Sequence, residues 1–346
     1  MPSEGCMTGL IPKKGEYLMH DSYLIRETLT DAVQGRHVYI RHPLTESTAE
    51  RQISGAGIPD TAKLLTETYE LYPGIELSYH YYLADKFHIC HRHGISVLSI
   101  DHCRAGRIGW EMRGGLSLYF GNGDLSFHLT DKCSDSEITL PLGYYEGFSL
   151  SLDTELLKDN MPGLLKNPVE DVTAICRKFC GSAEAAALTP GSRIEHICSE
   201  IYDLPEQIKL SCLKLKCQEL LLFLSVEDPV SKRFDPHYSR QVEIIRQIHN
   251  QMTEHPEQRY TIDDLAKQYL INTSALKSIF RSVYGMPIAS YMKQYRITQA
   301  AHMLRQTDLT IAEAARSVGY ESQSKFTAAF KDVMKMLPTD YRRQRL

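Results

Sequence analysis

Two sets of polar side chains near the C-terminal end have the types and spacing to read a nucleic acid. Ser274, Lys277, Ser278 and Arg281 make the first set; Gln323, Ser324, Lys325, Thr327 and Lys331 make the second. Each stays outside an apolar stripe at helical spacing, Leu276 and Phe280 in one case, Phe326 and Phe330 in the other. A helix divided in this way buries one face and offers hydroxyl, amide and ammonium groups on the other, which suits a DNA major groove. Gln323 has the sharpest chemistry of the group, because a side-chain amide can bond adenine in a bidentate manner.

Helices must carry these residues, and the sequence announces them twice. Thr261-Ile262-Asp263-Asp264-Leu265-Ala266 and Thr310-Ile311-Ala312-Glu313-Ala314-Ala315 share one grammar: a capping Thr, early acidic residues, and apolar positions at i, i+3 and i+4. A short polar turn follows each opening, so the stretch from Thr261 to Arg343 reads as two helix-turn-helix units. A plain bundle of amphipathic helices is the competing reading, and the polar content of the second helices argues against it. Between the units, Ile288 to about Gln306 forms a helix entered after Gly285-Met286-Pro287. Its length, roughly 27 Å, is close to the ~34 Å between successive major-groove faces on one side of B-DNA. Upstream, Gln241 to Glu254 makes the first helix of the module, with Ile244, Ile245, Ile248 and Met252 on one side.

Gly319-Tyr320-Glu321-Ser322-Gln323-Ser324-Lys325-Phe326-Thr327-Ala328-Ala329-Phe330-Lys331, followed by Pro338 and Tyr341-Arg342, resembles the signature of the AraC/XylS family of bacterial transcription regulators. The resemblance covers about the last hundred residues. Met336 stands where the family usually has a glycine, and Ala328 where a larger polar side chain is common. What the resemblance implies is base reading by Ser274, Lys277 and Ser278 in the first unit and by Gln323, Ser324 and Thr327 in the second. Arg281, Lys325 and Lys331 are assigned to phosphates, which position a protein without specifying sequence. The implied protein is a sequence-specific regulator rather than an enzyme, with double-stranded DNA as partner, a homodimeric state, and RNA polymerase as a further contact.

With 346 residues and 42% hydrophobic content, the chain can build two domains with separate cores. Charge divides it unevenly. From Arg240 onward 16 Lys and Arg stand against 10 Asp and Glu, leaving 23 against 33 in residues 1–239. Phosphate attraction accounts for the basic end, while the acidic part is a poor nucleic-acid surface. Nine cysteines show no regular framework, which fits a reduced cytosol. No secretory leader is visible, and the longest apolar run, Leu220 to Leu224, is too short for a bilayer, so a cytoplasmic protein without a membrane partner is expected.

From about Gly74 to Asp153 the texture is that of short strands broken by glycine-containing turns. Ile75–Leu83, Gly94–Asp101, Gly109–Met112, Leu116–Phe120, Leu125–Leu129, Ile138–Leu140 and Gly147–Leu152 are the expected strands, with Gly121-Asn122-Gly123-Asp124 as a hairpin turn. A small barrel or sandwich results, and the family resemblance implies a cupin-like effector domain. Cys103-Arg104-Ala105-Gly106-Arg107-Ile108-Gly109-Trp110-Glu111, Gly123-Asp124-Leu125 and Tyr144-Tyr145-Glu146-Gly147 are also similar to the pyochelin-type siderophore regulators within that family. That similarity implies a siderophore-like or other aromatic, metal-chelating effector.

Arg104 and Arg107 could clamp an anionic effector group, and Trp110, Tyr119, Tyr144 or Tyr145 could stack on a ring. Solvated or paired arginines and a core Trp are the plainer alternatives. His88-Ile89-Cys90-His91-Arg92-His93 holds metal-ligand types, but on a strand His91 and His93 share a face that excludes His88, and no carboxylate completes the set. No metal or other cofactor is expected, and a metal-dependent cupin enzyme is disfavoured for want of a second ligand motif. A DNA-repair enzyme would need a nucleophilic cysteine in a recognisable setting, which none of the nine has. A redox-responsive regulator using Cys90, Cys103 or Cys133 stays open as an alternative, as does a ligand-independent one.

Helices take over from Met161: Val169 to Cys180, a segment from Gly191 carrying Ile194, Ile197, Cys198 and Ile201, and Glu206 to about Val226 after Pro205. Leu210, Leu213, Cys217, Leu220, Leu221 and Leu224 form a wide apolar stripe that could pack on the barrel, self-associate, or do both. Residues 1–60, with one helix near Tyr23 to Val33, carry little functional signal. The expected fold class is α+β: an N-terminal segment (1–60), a cupin-like β-barrel or sandwich (61–155), a helical dimerisation or packing segment (156–228), a proline-bracketed linker (229–239), and an all-α DNA-binding domain with two helix-turn-helix units (240–346).

Overall fold

The computed structural model describes residues 37–343 apart from residues 43–46, 53–62, 90–95, 113–114, 131–135, 161, 164–171, 182–184, 229–233 and 235. For residues 37–42, 47–52, 88–89, 112 and 136 the backbone alone is described. The helix expected near Tyr23 to Val33 lies outside the described residues.

An almost entirely antiparallel sheet fills the N-terminal part. Its strands are β1 (His37–His42), β2 (Ser47–Gln52), β3 (Lys63–Tyr72), β4 (Ile75–Leu83), β5 (Lys86–Ile89), β6 (Val97–Met112), β7 (Leu116–Gly121), β8 (Leu125–Leu129), β9 (Ser136–Thr139), β10 (Tyr144–Asp153), β11 (Ala185–Leu188) and β12 (His237–Tyr238). The main path runs β11-β8-β6-β10-β4-β3-β1-β2, with β1 and β3 parallel. Off it, β7 and β9 pair with the far end of β6, β5 pairs with β9, and β12 with β7.

β6 organises this half. The sequence suggests two strands there, Gly94–Asp101 and Gly109–Met112, parted by a glycine- and arginine-bearing turn, yet residues 97–112 run as one strand of 16 residues. Gly106 bends it without ending it. That residue takes φ 81° against the Tyr144 carbonyl, where a Cβ has no room, and the β10 register shifts alongside, between Glu146 and Gly147. A register shift of this kind bends the ladder, so β6 leaves β8 and β10 and continues against β7 and β9. Arg104 and Arg107 therefore sit within a strand.

One face of the main sheet is apolar and covered by helices. Leu98, Ile100, Phe127, Phe148, Leu150 and Leu152 are buried against α2 (Val172–Phe179), α3 (Ser192–Ile201) and α4 (Lys209–Val226), which follow the short α1 (Leu157–Asn160). The stripe on α4 is spent here: Leu213, Cys217, Leu220, Leu221 and Leu224 are fully buried in that core. The other face is polar yet buried, with Thr66, Thr68, Ser78, Ser99, Asp101, Ser126 and His128. Asp101 accepts from Ser99 (2.8 Å), Ser126 (2.8 Å) and Ser149 (2.6 Å), so its buried charge is met by hydrogen bonds.

The C-terminal part is helical: α5 (Ser239–Glu254), α6 (Ile262–Gln268), α7 (Thr273–Tyr284), α8 (Ile288–Gln306), α9 (Ile311–Ser317), α10 (Gln323–Met334) and α11 (Pro338–Arg343). Two cores divide it. α5, α6 and α7 close one with Ile288 and Met292 of α8; α9, α10 and α11 close the other with Ile297, Ala300, Ala301 and Leu304 of the same helix. α8 thus belongs to both. The segment expected as a linker is tied to the sheet where it is described: Phe234 N donates to the Ala187 carbonyl (2.8 Å), and β12 pairs with β7.

Candidate nucleic-acid interface

The helices that carry the polar sets are held by caps the sequence dictates. Thr261 Oγ1 accepts from Asp264 N (3.1 Å) to start α6, and Asn272 Oδ1 accepts from Ala275 N (2.7 Å) to start α7. Thr310 and Glu313 form a reciprocal capping box on α9, while Ser322 Oγ accepts from Lys325 N to open α10. Each such cap contributes about 1 kcal/mol. The turns within the pairs match as well: Ile271 N bonds the Ala266 carbonyl (3.0 Å), and Tyr320 N bonds the Ala315 carbonyl (2.9 Å).

Each second helix then divides as the spacing requires. Leu276 and Phe280 of α7, and Phe326 and Phe330 of α10, are fully buried. Burial of a side chain of this size is worth roughly 1.5–3 kcal/mol, which fixes the rotation of each helix about its axis. Ser274, Lys277, Ser278 and Arg281 are exposed on one; Gln323, Ser324, Lys325 and Lys331 are exposed on the other, with Thr327 half-buried. Ala328 is exposed and offers only a methyl group.

α8 is braced between the pairs. Lys293 Nζ meets Asp332 Oδ2 of α10 at 2.5 Å, a bond that holds the Asp332 carboxyl below its ordinary range. Arg296 donates to the carbonyls of Pro256 (2.6 Å) and Gln258 (2.5 Å). Gly319, at φ 82°, abuts the same loop, where an added Cβ would lie 2.7 Å from the Glu257 carbonyl oxygen. Among these groups only Gly319 carried a signal in the sequence; the reach of Lys293 and Arg296 depends on contacts between distant segments.

The six residues considered for an effector do not converge on one spot. Arg104 is exposed and pairs with Glu146 (3.2 Å) and Asp203 (3.8 Å), with its guanidinium 4.8 Å from the Tyr202 ring centre. Arg107 donates to backbone carbonyls of α7 instead. Trp110 stacks on Phe120 at 4.9 Å, and Tyr145 meets the same ring edge-on at 6.4 Å, so these two share one apolar cluster. Tyr144 is buried beside Leu65 and Ala105. Tyr119 faces the C-terminal helices, buried in their first core.

Cys103 is fully buried and burial pushes its thiol well up, which opposes the thiolate a redox sensor needs. Cys90, Cys133, His91 and His93 lie outside the described residues. Among the described residues no group of three or more His, Cys, Asp or Glu is placed to hold a metal, and no helix is long and apolar enough to cross a membrane.

Two capped helix pairs share one long helix, and each turns a polar face outward. A helix-turn-helix domain model matches residues 265–344. A putative AraC-like transcription regulator from Streptomyces lividans is 39% identical over 88 residues, which is 25% of this chain and 29% of that protein. The transcriptional regulator AlkR of Acinetobacter baylyi is 32% identical over 90 residues, 26% of this chain and 29% of its own. Residues 265–344 are a helix-turn-helix domain of the AraC family. The AraC-type domain is also similar to the C-terminal domain of AraT, a response regulator from Geobacillus stearothermophilus, at 30% identity over 30% of this chain and 86% of that one, with a TM-score of 0.29. The matched part spans less than a third of the two curated relatives, and so speaks for this domain alone.

Proposed function

We propose that the chain is a sequence-specific transcription regulator in which two helix-turn-helix units, α6–α7 and α9–α10, read successive major grooves. The observation that carries this reading is the outward polar face on α7 and α10, with Phe280 and Phe330 buried behind it and α8 as the common spacer. At 19 residues α8 spans about 28 Å, near the ~34 Å repeat of the groove. Ser274, Lys277, Ser278, Gln323, Ser324 and Thr327 contact bases in this proposal, and Arg281, Lys325 and Lys331 contact phosphates.

The N-terminal part, from residue 61 to 155, serves as a cupin-like effector domain, followed by helices to residue 228 and a junction at 229–239. Control works as a population shift, in which a bound small molecule favours one arrangement of the domain over another. The similarity to pyochelin-type siderophore regulators makes an aromatic, metal-chelating compound the first effector to test. Homodimerisation through the outer side of α4 is supported by Leu215 and Val226, which are 64% and 73% exposed.

The experiment is a titration of the purified chain against genomic fragments from its own locus over a range of ionic strengths. A preferred fragment whose affinity falls linearly with log salt supports the proposal; equal binding to every fragment overturns it.

A further inference from the structure

Among the described residues, specific contacts tie the sheet to the first helix pair and the helix before it. Arg107, in the middle of β6, donates through Nε to the Val283 carbonyl (3.1 Å) and through Nη2 to the Ser282 carbonyl (2.5 Å). Both carbonyls belong to the last turn of α7, where a helix supplies its carbonyls with no N–H donors of its own. A guanidinium there also complements the negative end of the helix dipole. Gly285, directly after, has φ 82°, and a Cβ on it would lie 3.0 Å from Arg107 Nη1. The chain turns away at the one place where the arginine enters.

Tyr119, on the neighbouring β7, extends the contact. It is 2% exposed, buried among Val242, Ile245, Phe280 and Tyr284, and its hydroxyl accepts from Arg246 Nη2 of α5 at 3.0 Å. Gly109, beside it on β6, leaves the space its ring occupies. At the edge of the same strand, Ser239 N donates to the Gly115 carbonyl (2.8 Å) and β12 pairs with β7. α7 is therefore gripped at its C-terminal end by the sheet, while Ser274, Lys277 and Ser278 stand free at the other end.

We propose that Arg107 is a positioning residue for DNA recognition, which sets the angle of α7 relative to the sheet by chelating the Ser282 and Val283 carbonyls. This rests on the DNA-reading function proposed above and deepens it: the state of the sheet is transmitted to the first reading helix through β6. The planar fork of an arginine reaches both carbonyls at once, whereas a lysine would keep the charge and lose the fork. Because the guanidinium is spent on α7, it contributes nothing to phosphate binding.

The test uses the full chain with Arg107→Ala and Arg107→Lys. In the absence of DNA, amide hydrogen exchange is expected to rise in residues 279–288 of both variants, while exchange across residues 297–341 and the sheet core is unchanged. On DNA, base substitutions in the half-site read by α7 are expected to lose most of their effect in both variants, with affinity down about tenfold. The half-site read by α10 keeps its base preferences, and the slope of log K against log salt stays that of the parent. A general rise in exchange, no rise, equal losses at the two half-sites, or a salt slope lower by about one charge would overturn the proposal. If the parent chain prefers no duplex, the function proposed above fails, and the exchange pattern alone decides whether Arg107 positions α7.

Discussion

Leu270 and Gly319 hold the same left-handed place in the turns of the two helix pairs, with φ of 53° and 82°. Directly after α7 and α10 the assignment reverses: Gly285 (φ 82°) closes the first pair's second helix, and Lys335 (φ 58°) closes that of the second. Each pair thus has one glycine where glycine is favoured and one residue that pays strain for its Cβ. Leu270 is 93% exposed and Lys335 is exposed, so replacing either by Gly removes the strain without opening a core. Leu270→Gly and Lys335→Gly are each expected to stabilise the domain by roughly 1 kcal/mol, read as a higher denaturation midpoint. Gly319→Ala is expected to destabilise by more than that, because its Cβ would meet the Glu257 carbonyl. The family resemblance places the missing glycine at Met336; the left-handed residue is its neighbour Lys335.

Gln323 and Lys331 sit on the same exposed side of α10 but should fail differently when truncated. Gln323→Ala is expected to lose about 1–3 kcal/mol at one base position and little elsewhere. Lys331→Ala is expected to weaken all sequences alike and to lower the salt slope by about 0.9. A binding survey over single-base operator variants at several salt concentrations separates the two. Uniform weakening by Gln323→Ala would remove it from the base-reading set.

The C-terminal elements were legible because local signals fix them. Thr261 and Thr310 cap where the pattern places them, and α8 runs from Ile288 to Gln306 as the spacing predicts. The N-terminal part was legible only in pieces. β3 sets Leu64 beside Leu65 and Leu71 beside Tyr72 with no clean alternation, and β6 contains glycines and arginines that read locally as a turn; long-range pairing overrides both. Arg107 looked like an anion clamp for the same reason. Its partners are 175 and 176 residues away, and nothing in its own segment names them.

Acid should weaken the sheet through three buried groups, His102, His80 and Asp101. Burial drives the His102 imidazole down to about 3, with Arg104 acting in the same direction, and burial drives His80 down to about 4 against the pull of Asp101. For Asp101, burial would raise the pKa, but the His128 ring and the bonds from Ser149 and Ser99 outweigh it and bring it down to about 2. A histidine whose folded pKa lies below its ordinary 6.5 binds fewer protons folded than unfolded between the two values, so stability falls as pH drops through that window. Asp101 adds a loss in the same direction, as pH falls from 3.8 through about 2. The thermal midpoint should hold near neutrality and decline progressively below about pH 6.5, and His102→Gln should flatten part of the decline. A midpoint level down to about pH 4 would contradict the buried neutral rings.

The outer side of α4 tests the proposed homodimer. Leu213, Cys217, Leu220, Leu221 and Leu224 are committed to the chain's own core, so a mutation there would unfold the protein before it said anything about association. Leu215 and Val226 point the other way, 64% and 73% exposed, and polar replacements should cost the monomer within about 0.5 kcal/mol. Leu215→Lys combined with Val226→Glu is therefore expected to leave the thermal midpoint of dilute protein unchanged and to shift the sedimentation coefficient from dimer to monomer. Binding to a single half-site should survive, while the affinity gained from engaging two half-sites together should be lost. A variant that sediments as the parent does would move the dimer contact away from this face.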